Sequence, residues 1–257
     1  MNRSLEGVHA VIAGGSRGIG YAIAVRLASL GASLTLMSRD RERLFAAVEQ
    51  LGEGVLCDAQ VCDVADAGSV VRAFEAIGRA GHRTAILINS AGIATSARFA
   101  AIDQATWESA LRVNLGGVFH CTQAALPSLL AAPFGRIVNI ASTAGLVGYR
   151  YLAAYCAAKH GVVGLTRALA LELADTRVTV NAVCPGHTET ELVRDAIGNI
   201  VARTGKSPEQ ARAALAARNP QRRLIEPAEV AATVAWLCSP ESHSITGQAI
   251  SVSGGEV

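Results

Sequence analysis

Short apolar runs of β type alternate with longer helical stretches along the chain. Seven such runs follow one another: VHAVIA (8–13), SLTLMS (33–38), GVLCDAQVCDV (54–64), TAILINS (84–90), GRIVNIAS (135–142), RVTVNAVCP (177–185) and GQAISVS (247–253). Helical patterns separate them at 19–30, 66–79, 103–131, 152–174 and 227–238, and Gly31 suits the left-handed end of the first. Strands this apolar, joined through helices, predict a parallel sheet covered on both faces.

The chain has no linker rich in proline, glycine or serine and no internal repeat. With 257 residues, 51% of them hydrophobic, it can bury a full core. We therefore expect one domain, residues 1–257, of α/β class: a doubly wound, seven-stranded parallel sheet with helices on both faces.

Charge and cysteine usage exclude several functional classes. The formal charge of +2 and the lack of a basic run do not suit nucleic-acid binding. No apolar run reaches the roughly 18 residues that a membrane span needs, and the first residues lack a signal-peptide pattern. The six cysteines show no C-x-x-C spacing, which is typical of buried thiols in a reducing compartment. We expect a cytoplasmic protein that binds neither nucleic acid nor membrane.

A glycine-rich turn follows the first strand, in VIAGGSRGIGYAI, with Gly14, Gly18 and Gly20 in G-x-x-x-G-x-G spacing. Glycine lets the backbone turn tightly and approach a pyrophosphate, whose charge then lies at the positive N-terminus of the next helix. The turn predicts dinucleotide binding. The alternative is a turn that only connects a strand to a helix.

The end of the second strand bears on which dinucleotide binds. An acidic residue there would hold the ribose 2′-hydroxyl of NAD, but the strand ends with Ser38 and Arg39. Arg39 and Arg17, which lies in the glycine turn, would suit the 2′-phosphate of NADP, because guanidinium groups form bidentate bonds with phosphate. NADP is favoured and NAD stays open, since both arginines could be solvated surface charges and Asp40 follows directly.

The stretch YLAAYCAAKHG (151–161) places one of the two lysines of the chain four residues after a tyrosine. On a helix, Tyr155 and Lys159 would share one face. A phenol beside an ammonium group suits proton transfer, because a nearby positive charge favours the phenolate and lowers the pKa of the phenol. The alternative is a core tyrosine and a surface lysine on one helix.

Together these motifs resemble the short-chain dehydrogenase/reductase superfamily, from the first strand to the C-terminus. AGGSRGIG matches the family's glycine motif except that Ala13 replaces the usual threonine, and NSAG (89–92) resembles its N-N-A-G motif with Ser90 in place of the second asparagine. Asp63 in CDV, CPG (184–186) and ITGQAISVSGG (245–255) match further family segments. The positions of the family's catalytic tetrad are occupied by Asn114, Ser142, Tyr155 and Lys159.

The resemblance implies a Rossmann-type fold and a role for each residue of the tetrad. Tyr155 would exchange the proton with the substrate oxygen, to which Ser142 would donate a hydrogen bond. Lys159 would bind the nicotinamide ribose, and Asn114 would hold a water that relays protons to it. No metal ion is expected. The cofactor contacts implied are Gly14, Ser16, Arg17, Gly18, Ile19, Gly20, Ser38, Arg39, Asp63, Val64, Asn89, Ala91, Gly92, Tyr155, Lys159, Pro185, Gly186 and Thr188.

Residues 188–224 match the family least, and in the family such a segment is a helical substrate lid. This segment contains seven basic and four acidic residues. The basic residues are Arg194, Arg203, Lys206, Arg212, Arg218, Arg222 and Arg223, and the acidic residues are Glu189, Glu191, Asp195 and Glu209. Its net charge of +3 would suit a phosphorylated thioester such as an acyl group on coenzyme A or acyl carrier protein. The alternative is a solvated helical surface.

By overall pattern the chain is most similar to 3-oxoacyl-thioester reductases, polyketide ketoreductases and 3-hydroxyacyl-CoA dehydrogenases. The resemblance implies NADP-dependent reduction of a 3-oxoacyl thioester or a similar ketone to the secondary alcohol, by a homotetramer. An NAD-dependent dehydrogenase of another, for example cyclic, secondary alcohol stays open. So does a non-catalytic dinucleotide sensor, although a sensor has no need of the intact Ser142, Tyr155 and Lys159.

Overall fold

The computed structural model describes residues 3–257, which form one sheet of seven parallel strands in the order β3-β2-β1-β4-β5-β6-β7. The strands are β1 (His9–Ala13), β2 (Ser33–Ser38), β3 (Cys57–Val61), β4 (Thr84–Asn89), β5 (Gly135–Ile140), β6 (Val178–Pro185) and β7 (Ala249–Val252). The predicted doubly wound, parallel α/β fold is confirmed. Strand order reverses between β1 and β4, the point where ligands bind in open sheets of this kind.

Helices cover both faces of the sheet. They are α1 (Gly18–Ser29), α2 (Arg41–Gln50), α3 (Ala67–Arg79), α4 (Gln104–Leu111), α5 (Gly117–Ala131), α6 (Ala153–Glu172), α7 (Glu191–Thr204), α8 (Pro208–Ala216) and α9 (Pro227–Cys238). One apolar cluster joins the sheet to α1, α2 and α9, and a second joins it to α3 and α5. Within residues 3–257, no helix is both long and apolar enough to cross a membrane.

Local sequence signals explain where several helices begin and end. The carboxylates of Asp40, Asp66 and Asp103 accept backbone hydrogen bonds from the first turns of α2, α3 and α4. Ser207 begins α8 in a capping box with Gln210. Gly31 follows α1 with a φ of +94°, as its predicted left-handed position requires.

The predicted helix 103–131 is wrong in one respect, because a π-helical turn, Arg112–Gly116, interrupts it between α4 and α5. The backbone N–H of Gly117 donates to the carbonyl of Arg112, five residues back. Asn114 lies in this turn, and its Nδ2 donates to the carbonyl of Ala110 at 2.9 Å. A side chain thus pairs with a carbonyl of the preceding helix, which sequence periodicity does not reveal.

Two other boundaries differ from the sequence expectation. The predicted strand 54–64 shortens to β3 at Cys57–Val61, an edge strand that pairs with β2 alone. Helix α2 was not foreseen, because its sequence RERLFAAVEQ is polar and buries only Leu44 and Ala47. Its Asp40 N-cap is the signal that would have revealed it.

Candidate active site

The glycine turn joins the carboxyl end of β1 to α1 and comes close to the loop after β4. A Cβ atom placed on Gly14 would lie 2.5 Å from the backbone nitrogen of Ala91, so only glycine fits there. Arg17 stands at the N-cap of α1 without a side-chain hydrogen bond to the helix. The Arg17 side chain therefore accepts no hydrogen bond from the backbone N–H groups of the first turn of α1, which begins at Gly18. These groups can donate to a bound anion. The turn fits the pyrophosphate of a dinucleotide.

The second predicted cofactor position, the end of β2, lies beside this turn. The Oγ of Ser16 donates to the Oγ of Ser38 at 3.0 Å, which joins the two segments. Arg39 is exposed and forms no ion pair within the described range 3–257. Arg17 instead contacts Glu191 of α7. The structure therefore brings Ser38 and Arg17 to one edge of the cleft and leaves Arg39 in solvent.

Two further predicted cofactor residues have side chains engaged within the protein. The carboxylate of Asp63 accepts from the backbone N–H of Ala65 at 3.0 Å. The amide of Asn89 is buried and donates to Asn139 at 2.8 Å and to Thr122 at 3.2 Å. The Asn89 side chain thus ties β4 to β5 and α5 through its Nδ2, while its buried Oδ1 has no hydrogen-bond partner within residues 3–257.

Ser142 and Tyr155 meet at the carboxyl end of β5, where the resemblance placed them. Ser142 begins the short 3₁₀ turn Thr143–Gly145, and its Oγ accepts from the backbone N–H of Ala144 at 3.1 Å. The neighbouring Ser142 side chain lowers the pKa of the Tyr155 phenol, which places the two hydroxyl groups close to each other.

Lys159 lies one turn after Tyr155 on α6 and is only 4% exposed. Its Nζ donates to the carbonyl of Ile140, the last residue of β5, at 2.7 Å and lies 5.7 Å from the centre of the Tyr155 ring. Burial lowers the pKa of this ammonium group to about 8. The predicted alternative of a surface lysine is excluded.

The structure gives the opposite direction to the expected lowering of the Tyr155 pKa. Burial raises that pKa to about 12, which outweighs the lowering effect of Ser142. The physical reason is that a phenolate here would lose its hydration, while the Lys159 ammonium is hydrogen-bonded to Ile140 rather than to the phenol oxygen. The raised pKa favours the protonated form of the Tyr155 hydroxyl.

The side chain of Asn114 is fully buried and closely held. Its Nδ2 donates to the carbonyls of Ile93 and Ala110, and its Oδ1 accepts from the N–H of Ile93 at 3.0 Å. Because both side-chain N–H groups are used, a relay water would need the remaining lone pair of Oδ1 or the main chain. The structure shows Asn114 fixing the loop after β4, next to Gly92.

Comparisons with known proteins bear on what such a site does. A family model described as enoyl-(acyl carrier protein) reductase matches residues 13–256. A Streptomyces violaceoruber protein named as a ketoacyl reductase of the granaticin polyketide synthase is 43% identical over 250 residues, which are 96% of this chain and 92% of that protein. The 3-oxoacyl-(acyl-carrier-protein) reductase of Thermotoga maritima is 35% identical over 255 residues, which are 98% of this chain and 99% of that protein.

A solved structure agrees with these relatives. The crystal structure of an actinorhodin polyketide ketoreductase variant with NADPH has a TM-score of 0.94 and 37% identity, covering 100% of this chain and 99% of that one. This chain belongs to the short-chain dehydrogenase/reductase superfamily. It is an oxidoreductase that acts on C=O and CH–OH groups.

The turn after β6 lies at the carboxyl edge of the sheet in this short-chain dehydrogenase/reductase. Pro185 ends the strand, and the backbone N–H of Gly186 donates to Val252 of β7 at 3.0 Å. Thr188 is buried, and its Oγ1 donates to the carbonyl of Gly186. This turn is anchored to the sheet, and the helical segment 188–224 begins directly after it.

Sequence reasoning missed a polar cluster on the same side of this short-chain dehydrogenase/reductase. The hydroxyl of Tyr149 donates to Glu256 and also bonds the hydroxyl of Thr143, each at 2.6 Å. Arg218 donates to the same oxygen of Glu256 at 2.9 Å and stacks over the Tyr149 ring. No local signal could have found this cluster, because Tyr149 and Glu256 lie 107 residues apart.

Tyr151, the other feature missed, is one of two residues other than glycine with positive φ in the described chain, at +69°. Its carbonyl accepts from the backbone N–H of Ala97 at 2.9 Å, which connects the loop after β4 to the start of α6. Tyrosine disfavours this conformation, so the surrounding contacts hold it there. It lies four residues before Tyr155.

Proposed function

We propose that this chain reduces a 3-oxoacyl thioester, carried on coenzyme A or acyl carrier protein, or a similar ketone, to the secondary alcohol with NADPH. The observation that carries the proposal is the buried Lys159, whose Nζ lies 5.7 Å from the centre of the Tyr155 ring and donates to the carbonyl of Ile140, two residues before Ser142. The names of the Streptomyces and Thermotoga relatives support the substrate class.

In this proposal the chain supplies the proton and NADPH, when bound, supplies the hydride. Tyr155 donates its hydroxyl proton to the carbonyl oxygen as negative charge develops there. The raised pKa suits this direction, because the phenol keeps its proton until the substrate oxygen becomes a strong base. Ser142 donates a second hydrogen bond to that oxygen and fixes its position.

Lys159 has two tasks in the proposal. Its bond to the Ile140 carbonyl uses one of three N–H donors and leaves two for the nicotinamide ribose hydroxyls. Its positive charge lies on the Tyr155 side of α6, where it stabilises the phenolate left after proton transfer. Asn114 is assigned to hold the loop after β4 in place and, through its main chain or Oδ1, a water that returns the proton.

The choice of NADP over NAD is supported by the residues at the adenosine end. Ser38 and Arg39 stand where NAD-specific chains need an acid, and Arg17 lies on the adjoining turn. The structural neighbour crystallised with NADPH supports the same choice. The remaining cofactor contacts stay as predicted from the resemblance.

We also propose that residues 188–224 are a substrate lid. At the start of α7, Glu191 contacts Arg17 of the glycine turn. Near the end of α7, Arg203 donates to the carbonyl of Ser96, in the loop after β4, at 3.4 Å. A net charge of +3 suits the phosphate groups of a carrier. The segment thus connects both sides of the cleft.

The test compares substrates and cofactors in one assay. We expect acetoacetyl-CoA to be reduced with NADPH at a kcat/KM at least about tenfold above that with NADH, since a bidentate phosphate contact adds that much selectivity. A simple cyclic ketone serves as the control substrate. Preference for the cyclic ketone, or an equal rate with NADH, would favour the alternative NAD-dependent alcohol dehydrogenase.

We propose a homotetramer in the cytoplasm. Large apolar side chains stand exposed on the outer helices, for example Phe119 and Leu130 on α5, Leu171 on α6 and Trp236 on α9. The six free cysteines suit a reducing compartment. Light scattering after gel filtration tests the assembly, and a monomeric mass would refute it.

A further inference from the structure

One carboxylate joins three segments at the adenosine end of the cleft. Oε2 of Glu191, the first residue of α7, accepts from Nη1 of Arg43 at 2.9 Å and from Nη1 of Arg17. Arg17 lies in the turn after β1 and Arg43 in the first turn of α2, just after β2. Two guanidinium groups thus converge on a single anionic oxygen.

The two arginines stand on the two turns that border the predicted position of the adenosine ribose. The hydrogen bond between Ser16 and Ser38 joins these same turns. Arg43 is oriented by its second contact, from Nε to Asp40 at 3.2 Å. Paired guanidinium groups aimed at one point are the arrangement that proteins use for phosphate, so the carboxylate of Glu191 lies where such an anion would bind.

The contact is of a kind that can be exchanged. The side chains of Arg17, Arg43 and Glu191 are 50%, 53% and 42% exposed, and ion pairs this open to water are weak. A phosphate carries up to two negative charges and three acceptor oxygens, against one charge on Glu191. A bound 2′-phosphate would therefore displace Glu191 and bind both arginines.

We propose that Arg17 and Arg43 form the binding site for the 2′-phosphate of the cofactor, and that Glu191 occupies this site until the cofactor displaces it. The inference rests on the proposed use of NADP. Arg43 then takes the part that the sequence assigned to Arg39, which points to solvent. Displacement of Glu191 also frees the first turn of α7, so the phosphate changes how the lid is held.

The second acidic residue of the segment provides a matched control. Glu189 lies two residues earlier and pairs with Arg212 of α8, within the segment itself. The exchange of either glutamate for glutamine removes one charge at nearly constant volume. Of these two glutamates, only Glu191 contacts Arg17 and Arg43.

The experiment measures dissociation constants of NADPH and NADH for the wild-type protein, Glu191→Gln and Glu189→Gln, from the nicotinamide fluorescence. We expect Glu191→Gln to bind NADPH about 3- to 10-fold more tightly, the range that exposed ion pairs provide, with NADH changed less than about twofold. Glu189→Gln should change neither. Arg43→Gln should raise the dissociation constant of NADPH and leave that of NADH unchanged.

Unchanged or weaker NADPH binding by Glu191→Gln, with the wild-type preference for NADPH intact, would overturn this inference alone. Equal wild-type affinity for the two cofactors would refute the proposed use of NADP as well. Hydrogen exchange gives an independent readout of the lid. NADPH, but not NADH, should accelerate exchange at the start of α7, and equal effects of both would contradict the displacement of Glu191.

Discussion

The corner formed by Ser142, Tyr155 and Lys159 and the proposed lid, residues 188–224, hold their charged groups in opposite ways. In the corner, the Lys159 ammonium is buried and fixed at 2.7 Å by the carbonyl of Ile140. In the lid, Glu191 and its arginine partners are each about half exposed and join separate segments. The corner is preorganised, because the packing of α6 against β6 and the Thr143–Gly145 turn sets its donors and acceptors. The lid is held by contacts that water and other anions can replace.

The removal of the Tyr155 hydroxyl should produce the largest effect. In Tyr155→Phe we expect kcat to fall by about 1000-fold or more, since general acid catalysis contributes on that scale and the remaining Ser142 hydroxyl only positions the substrate oxygen. The dissociation constant of NADPH, measured by fluorescence, should stay within about twofold. A variant that keeps its turnover would refute the role of Tyr155 as the acid.

The buried ammonium group should make stability depend on pH. Burial lowers the pKa of Lys159 from 10.5 to about 8, so between these values the unfolded chain binds the extra proton. The unfolding free energy of the wild-type protein should therefore rise with pH from 8 to 10.5, by about 3 kcal/mol relative to Lys159→Met. Denaturant unfolding of both proteins at several pH values measures the difference. A constant difference would show that the lysine titrates normally.

Two glycine substitutions compare the packing of the two regions. A Cβ on Gly145 would lie 2.7 Å from the carbonyl oxygen of Lys159, so Gly145→Ala should destabilise the protein by about 1–3 kcal/mol and reduce activity. A Cβ on Gly198, inside α7, meets no atom within 4 Å. Gly198→Ala should stabilise by about 0.5–1 kcal/mol, because alanine favours the helix. Equal effects in thermal unfolding would contradict the difference in packing.

The smallest effect should come from an ion pair within the lid. We expect Arg212→Gln, which breaks the pair with Glu189, to reduce the unfolding free energy by less than about 1 kcal/mol, and 0.5 M salt to remove the difference. A large loss of stability that persists in salt would mean that the lid is packed as firmly as the corner.

The KM of an acyl-CoA substrate should rise with salt in the wild-type protein, while kcat stays constant.

Local spacing was sufficient to predict much of the site. The glycine turn, the shared helix face of Tyr155 and Lys159, and the position of Ser142 at the end of a strand follow from periods and turn signals within a few residues. The same reasoning failed at Asn114, where a π-helical turn breaks the expected helix, and at the polar helix α2. Neither feature leaves a periodic apolar pattern.

Neighbours along the chain were sufficient to predict the alternation of strands and helices apart from α2, the glycine turn, and the shared helix face of Tyr155 and Lys159. The contact of Glu191 with Arg17, 174 residues away, and the hydrogen bond of Lys159 to Ile140 depend on how distant segments pack. The tertiary structure also reversed the expected pKa shift of Tyr155, since burial outweighs a positive charge that is hydrogen-bonded elsewhere. Such balances depend on which atoms lie within a few ångströms, and spacing along a chain does not specify that.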